Sequence, residues 1–170
     1  MRAHLLARTN LALIAAVTLA PAVAQADWKY AHWGATPEQL AQASGGAVKV
    51  LPPAQRTHHG DPWNSVTSAR GTYVDGNLRL KLTFSFDLKS GGLNCIVFES
   101  ADGSSGKLLQ KMFVGLYGPP KTSSNLKDIG VAMQTFVWSM PKDSVGLTLM
   151  ASDDSSFATQ CVPGSIPPVE

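Results

Sequence analysis

Leu78-Arg79-Leu80-Lys81-Leu82-Thr83-Phe84-Ser85-Phe86 alternates apolar and polar residues without a break. A period of two sends every apolar side chain to one face of an extended strand and every polar one to the other. Asp75-Gly76, just upstream, tolerates positive φ in a tight turn, so the spacing predicts a hairpin with residues 71–74. Gly91-Gly92 turns the chain again into residues 93–100. Three antiparallel strands in sequence make a meander whose apolar face needs a cover.

Leu108, Leu109, Met112, Phe113, Leu116 and Tyr117 supply that cover, recurring at helical spacing as one apolar stripe. Ser104 or Ser105 suits the cap at its start, and Gly118 before Pro119-Pro120 ends it. A shorter helix is predicted over 36–44. Thr36 is its N-cap, Pro37 fits the first helical position, Gln39 completes a capping box and Gly45-Gly46 stops it. A strand over 47–51 ends at Pro52-Pro53, and the polar, aperiodic stretch 54–68 reads as a surface loop. After the long helix, a loop of Ser, Asn and Lys leads to strands near 135–140 and 145–151, and the tail around 157–162 adds an edge strand. The expected fold class is α+β: an antiparallel β-meander of about five strands with two helices packed on one face.

The N-terminus carries an address. Arg2 and Arg8 precede an apolar run from Leu11 to Ala20, Pro21 breaks it, and Ala24-Gln25-Ala26 offers the small residues that signal peptidases read. The run is shorter than the roughly 20 residues of a membrane-spanning helix. Residues 1–26 are therefore expected to be a signal peptide cleaved between Ala26 and Asp27, leaving 27–170 as a single domain, periplasmic or secreted. No cysteine follows the apolar core, so no lipid anchor is expected. With the two leader arginines gone, the 14 basic residues fall to 12, matching the 12 acids. A balanced charge argues against nucleic acid and against a polybasic membrane patch.

Cys95 and Cys161 are the two cysteines of the chain. In an oxidising compartment they are expected to pair, closing a loop of about 66 residues worth roughly 4 kcal/mol by chain entropy; the alternative is two buried free thiols. The absence of a CxxC spacing disfavours a thiol oxidoreductase.

Two segments carry a resemblance. Trp28-Lys29-Tyr30-Ala31-His32-Trp33-Gly34-Ala35-Thr36-Pro37-Glu38-Gln39-Leu40 stands near the start, and Leu116-Tyr117-Gly118-Pro119-Pro120 ends the long helix. Together they resemble a largely uncharacterised family of small proteobacterial secreted proteins that opens with a Trp-Gly-x-Thr-Pro-Glu helix. They are also loosely similar to the BamE (SmpA-like) outer-membrane assembly domain. The resemblance implies a non-catalytic envelope protein with no catalytic residues to carry over.

Three groups of residues are candidate sites. His58, His59 and Asp61 are metal-ligand types on one loop, which would suit a metal-binding protein or a metal-dependent hydrolase, although neither HExxH nor paired Cys/His spacing is present. Trp28, Trp33 and Trp63, with Tyr30, could make a glycan or peptide platform, or simply pin the N-terminal segment to the core. Arg79, Lys81, Thr83 and Ser85 form the wet face of the opening strand, a docking surface or an ordinary solvated one. No G-x-S-x-G elbow occurs, and Asp87 or Asp153-Asp154 as paired carboxylates sit in turn-like contexts that favour local hydrogen bonding. The expected function is a non-catalytic binding module of the cell envelope that takes a protein partner or a ligand, with no cofactor.

Overall fold

In the computed structural model, residues 28–61, 63–100, 103–128, 131–141, 143–150 and 156–163 are described. The leader, its cleavage point at Ala26 and Asp27, and Asp153-Asp154 lie outside the described residues. Two α-helices, α1 (Pro37–Ala43) and α2 (Gly103–Tyr117), accompany nine strands. These are β1 (Val48–Val50), β2 (Thr57–His59), β3 (Ser65–Asp75), β4 (Leu78–Asp87), β5 (Leu93–Ser100), β6 (Thr122–Asp128), β7 (Val131–Ser139), β8 (Ser144–Met150) and β9 (Ser156–Cys161). All strand pairings are antiparallel, in the order β1-β3-β4-β5-β9-β8-β7-β6, with β2 also on β3. The mix of antiparallel sheet and helices is the expected one; the strand count is not about five but nine.

The extra strands come from segments without apolar alternation. Residues 54–68, expected as a loop, hold the end of a short 3₁₀ turn (Pro53–Gln55), the whole of β2 and the first residues of β3. The Ser, Asn and Lys stretch expected as a loop is β6, at the edge of the sheet, where solvent tolerates polar side chains on both faces. A third correction concerns β9. It lies not at an edge but in the middle, between β5 and β8. The chain builds one meander (β3-β4-β5), crosses over through α2, builds a second (β6-β7-β8-β9), and joins the two through its last strand.

Residues paired in register share a face. One face carries Leu80, Leu82 and Phe84 of β4, Ile96 and Phe98 of β5, Ala158 of β9, Val145 and Leu147 of β8 and Trp138 of β7, all buried. Leu109 and Phe113 of α2 and Leu40 of α1 belong to the same core. Phe98 sits edge-on to Phe113 at 5.3 Å and to Trp28 at 5.1 Å, the geometry that the ring quadrupole favours. The stripe on α2 is narrower than its spacing suggests, because Leu116 is 52% exposed. The helix begins at Gly103, so Ser104 and Ser105 fall in its first turn rather than at its cap. Gly118, with φ at 76°, ends it, and the Gly118 carbonyl accepts the Trp138 indole N–H at 2.9 Å.

The shorter helix matches its expected chemistry. The Thr36 hydroxyl accepts from the Gln39 amide at 3.3 Å, and the Gln39 side chain accepts from the Thr36 amide at 2.9 Å. Ahead of it, Trp33–Ala35 clings to the start of β5 by two backbone bonds: Gly34 N–H to the Leu93 carbonyl at 3.0 Å and Leu93 N–H to the Ala35 carbonyl at 2.8 Å. The same core face holds Gln160, fully buried, and neither of its amide atoms has a hydrogen-bond partner.

Candidate functional site

Both helices pack on one face of the sheet and leave the other uncovered by helix. By register that second face carries Thr57, Thr67, Ser85 and the cysteine pair in one row, and Lys49, Arg70, Thr83, Val97 and Thr159 in the next. Towards β6 it continues through Thr148, Thr135 and Ser124. Hydroxyl groups dominate it.

A cleft of about 300 Å³ opens on this face. His59, Trp63, Thr67, Thr83, Ser85 and Thr159 give it its character, and Ser65, Cys95 and Val97 complete the lining. These residues come from β2, β3, β4, β5 and β9 and from the loop after β2. Thr67 Oγ1 lies 3.0 Å from His59 Nε2 and 3.3 Å from Ser85 Oγ, forming a short hydrogen-bonded chain across three strands.

Two β-bulges create the cleft. Ser68 is the extra residue of β3 between Thr67 and Ala69, and Asn94 the extra residue of β5 between Leu93 and Cys95. Both stand beside Ser85, one on each side of β4. Without the first bulge, strict alternation would place Thr67 with Ala69 and Gly71 on the core face; the extra residue re-aims Thr67 and Ser65 to the open face. A bulge bends its strand, so both bends fall at this end of the sheet. Trp63 is presented by a tight loop in which the Trp63 and Asn64 amides donate to the Gly60 carbonyl at 2.9 and 3.1 Å. Asn64 has φ at 39°, and its side chain donates to the Asp61 carboxylate. The far rim is the turn after β4. There the backbone N–H of Ser90, then its hydroxyl, and the Lys89 backbone hold the Asp87 carboxyl below its ordinary range, with the Lys89 charge adding to the effect and slight burial opposing it.

Sequence-derived candidates meet this geometry unevenly. His58 and His59 alternate to opposite faces, opposite Val66 and Ser65, and Asp61 is engaged by Asn64. Among the described residues no group of three or more His, Cys, Asp or Glu side chains assembles. The tryptophans do not converge either. Trp28 is 3% exposed against Phe98 and Tyr73, and Trp33 donates its indole N–H to Asp143 at 2.9 Å. Trp63 alone of the three lines the cleft. Beside Trp28, burial pushes the Tyr30 phenol up, so it stays neutral through ordinary pH. Cys95 and Cys161 are disulfide-bonded. Of the wet-face residues, Thr83 and Ser85 reach the cleft, while Arg79 and Lys81 stand exposed beyond it.

A larger hollow of about 600 Å³ lies on the opposite face, between α2 and the β3–β4 hairpin. Three of its polar groups engage one another: Lys29 Nζ rests 4.0 Å above the Tyr73 ring, and the Tyr73 hydroxyl donates to Asp75 at 3.0 Å. The smaller cleft gathers the bonded His59–Thr67–Ser85 chain together with Thr83 and Thr159 beside Trp63.

Comparison with known proteins yields no matching family model, no similar curated protein and no similar solved structure. No helix among the described residues is long and apolar enough to cross a membrane.

Proposed function

We propose that this protein is an exported binding module of the cell envelope, which holds a small hydroxyl-rich ligand in the cleft of its open sheet face and does no chemistry on it. The single observation that carries this reading is the cleft lining. Thr83 and Thr159 offer hydroxyl donors and acceptors from β4 and β9, and the bonded pair Thr67 and Ser85 lies between β3 and β4, all beside the flat ring of Trp63. Side chains on strands lose little freedom on binding, so their hydrogen bonds cost less to make than those of a loop site.

Export and an envelope location are supported by the N-terminal pattern and by the disulfide, since such bonds persist in oxidising compartments. The likeness of residues 28–40 and 116–120 to small secreted proteobacterial proteins points the same way. The test is a glycan array probed with the labelled, processed protein and with Thr67→Val, which removes the hydroxyl while keeping the shape. Selective binding by the wild type that Thr67→Val loses is the expected result. Identical array profiles for the two proteins would sink the proposal.

A further inference from the structure

The cleft has a charged neighbour. Register puts Arg70 directly opposite Thr83, a lining residue, and Lys49 directly opposite Arg70. Lys81 lies two residues before Thr83 on the same face, opposite Glu99 of β5, and Arg79 two residues before that, further from the cleft. All four cations are exposed. Glu99 faces Lys81, and Asp87, also on this face, is held by Ser90 and Lys89 at the far end of β4. Arg70 and Lys49 therefore face each other across the ladder rather than an acid. In a chain whose processed form has balanced charge, this is a local excess of positive charge touching one side of a hydroxyl-lined cleft.

We infer that the ligand is an acidic oligosaccharide, with one sugar ring in the cleft against Trp63 and its carboxylate-bearing neighbour on the Arg70–Lys49 side. The inference rests on the binding reading above and adds the charge of the ligand to it. Two like charges directly opposite on a sheet destabilise it, and a bound anion relieves that repulsion. A guanidinium matches a carboxylate bidentately, and such charge-assisted bonds are about twice as strong as neutral ones. Trp63 supplies the apolar surface that the carbon face of a sugar needs, and the threonine and serine hydroxyls match sugar hydroxyls that both donate and accept. A bare anion would leave Trp63 and most of these hydroxyls unused.

The experiment is calorimetric titration of the processed protein with tetragalacturonate, cellotetraose and inorganic phosphate, each at low and high salt. Tetragalacturonate should bind about tenfold more tightly than cellotetraose at low salt, and the advantage should shrink at high salt. Arg70→Gln should bring the two sugars to equal affinity without changing the cellotetraose value, while Thr67→Val should weaken both. Equal affinity of the wild type for the two sugars overturns the acidic preference but leaves the binding reading standing. Phosphate that displaces tetragalacturonate at equal concentration shows an anion site with no sugar recognition and overturns the inference. Binding of neither sugar, by a protein whose circular dichroism is that of a folded sheet, overturns both.

Discussion

Cys95 and Cys161 stand directly opposite each other on β5 and β9, their Cα atoms 4.1 Å apart. The bond joins the two strands at which the first meander meets the second. It closes a loop with a sequence separation of 66, for which the chain-entropy model gives about 4 kcal/mol of stabilisation. The double variant Cys95→Ser/Cys161→Ser is expected to lose 2–5 kcal/mol, roughly the range for native disulfides of small exported domains. Urea denaturation of the variant, and of the wild type with and without reductant, measures it. Unchanged midpoints would show that the sheet's centre holds without the clasp.

Gln160, one residue before Cys161, points to the core face between Ile96 and Val145 and is fully buried with its amide unpartnered. A buried polar group without a hydrogen bond costs about 1–3 kcal/mol. Gln160→Met keeps the volume nearly constant and removes that cost, so it is expected to stabilise the protein by about 1 kcal/mol or more. Thermal denaturation gives the sign; a lowered midpoint would mean that the amide is satisfied in solution.

Gly92 is required by close backbone approach. A Cβ there would lie 2.7 Å from the Gly34 Cα and 3.0 Å from the Gly34 carbonyl oxygen. Backbone on both sides cannot swing away, so Gly92→Ala should cost about 1–3 kcal/mol and loosen residues 33–35 from β5. Hydrogen exchange at the Gly34 and Leu93 amides reports that loosening directly.

Asp87 gives the turn after β4 a pH dependence. Its carboxyl is lowered in the folded state, chiefly by the Ser90 backbone N–H and then by the Ser90 hydroxyl. A lowered folded value contributes stability above the unfolded carboxylate range, near pH 4, and loses it as the pH falls through the folded value. Wild type should therefore lose stability relative to Asp87→Asn as acidity increases below about pH 4, and the two should run parallel at neutral pH. Denaturation midpoints collected across that range make the comparison.

The sequence is legible where burial is one-sided. The alternation in residues 78–86 announces β4, and the Thr36-x-x-Gln39 pattern announces α1, because in both cases the signal is local. It is silent where pairing is set by distant partners. β6 shows no apolar alternation and becomes a strand because β7 offers it a ladder. The cleft was legible only in part. Thr83 and Ser85 follow from alternation and Trp63 from its isolation in a polar stretch, but Thr67 does not. The bulge at Ser68 that turns Thr67 outward contains no glycine, and nothing in Ser65-Val66-Thr67-Ser68-Ala69 marks the extra residue. His58 and His59, adjacent in sequence and attractive as a pair, are separated by the same alternation that exposes Thr83.

The position of β9 has a consequence for biogenesis. Its partners β5 and β8 lie far from it in sequence order on one side and near on the other, so the sheet is finished from the middle. Until β9 joins, β5 and β8 both show open hydrogen-bonding edges, the feature that invites pairing with a stranger. Closure must also wait for the longest-range strand pairing among the described residues, β5 with β9, which slows it. A chain made N-terminus first thus passes through an interval in which its sheet is two unjoined halves. Proteolytic trimming that reaches β9 would return the finished protein to that condition, cutting at its centre rather than its margin.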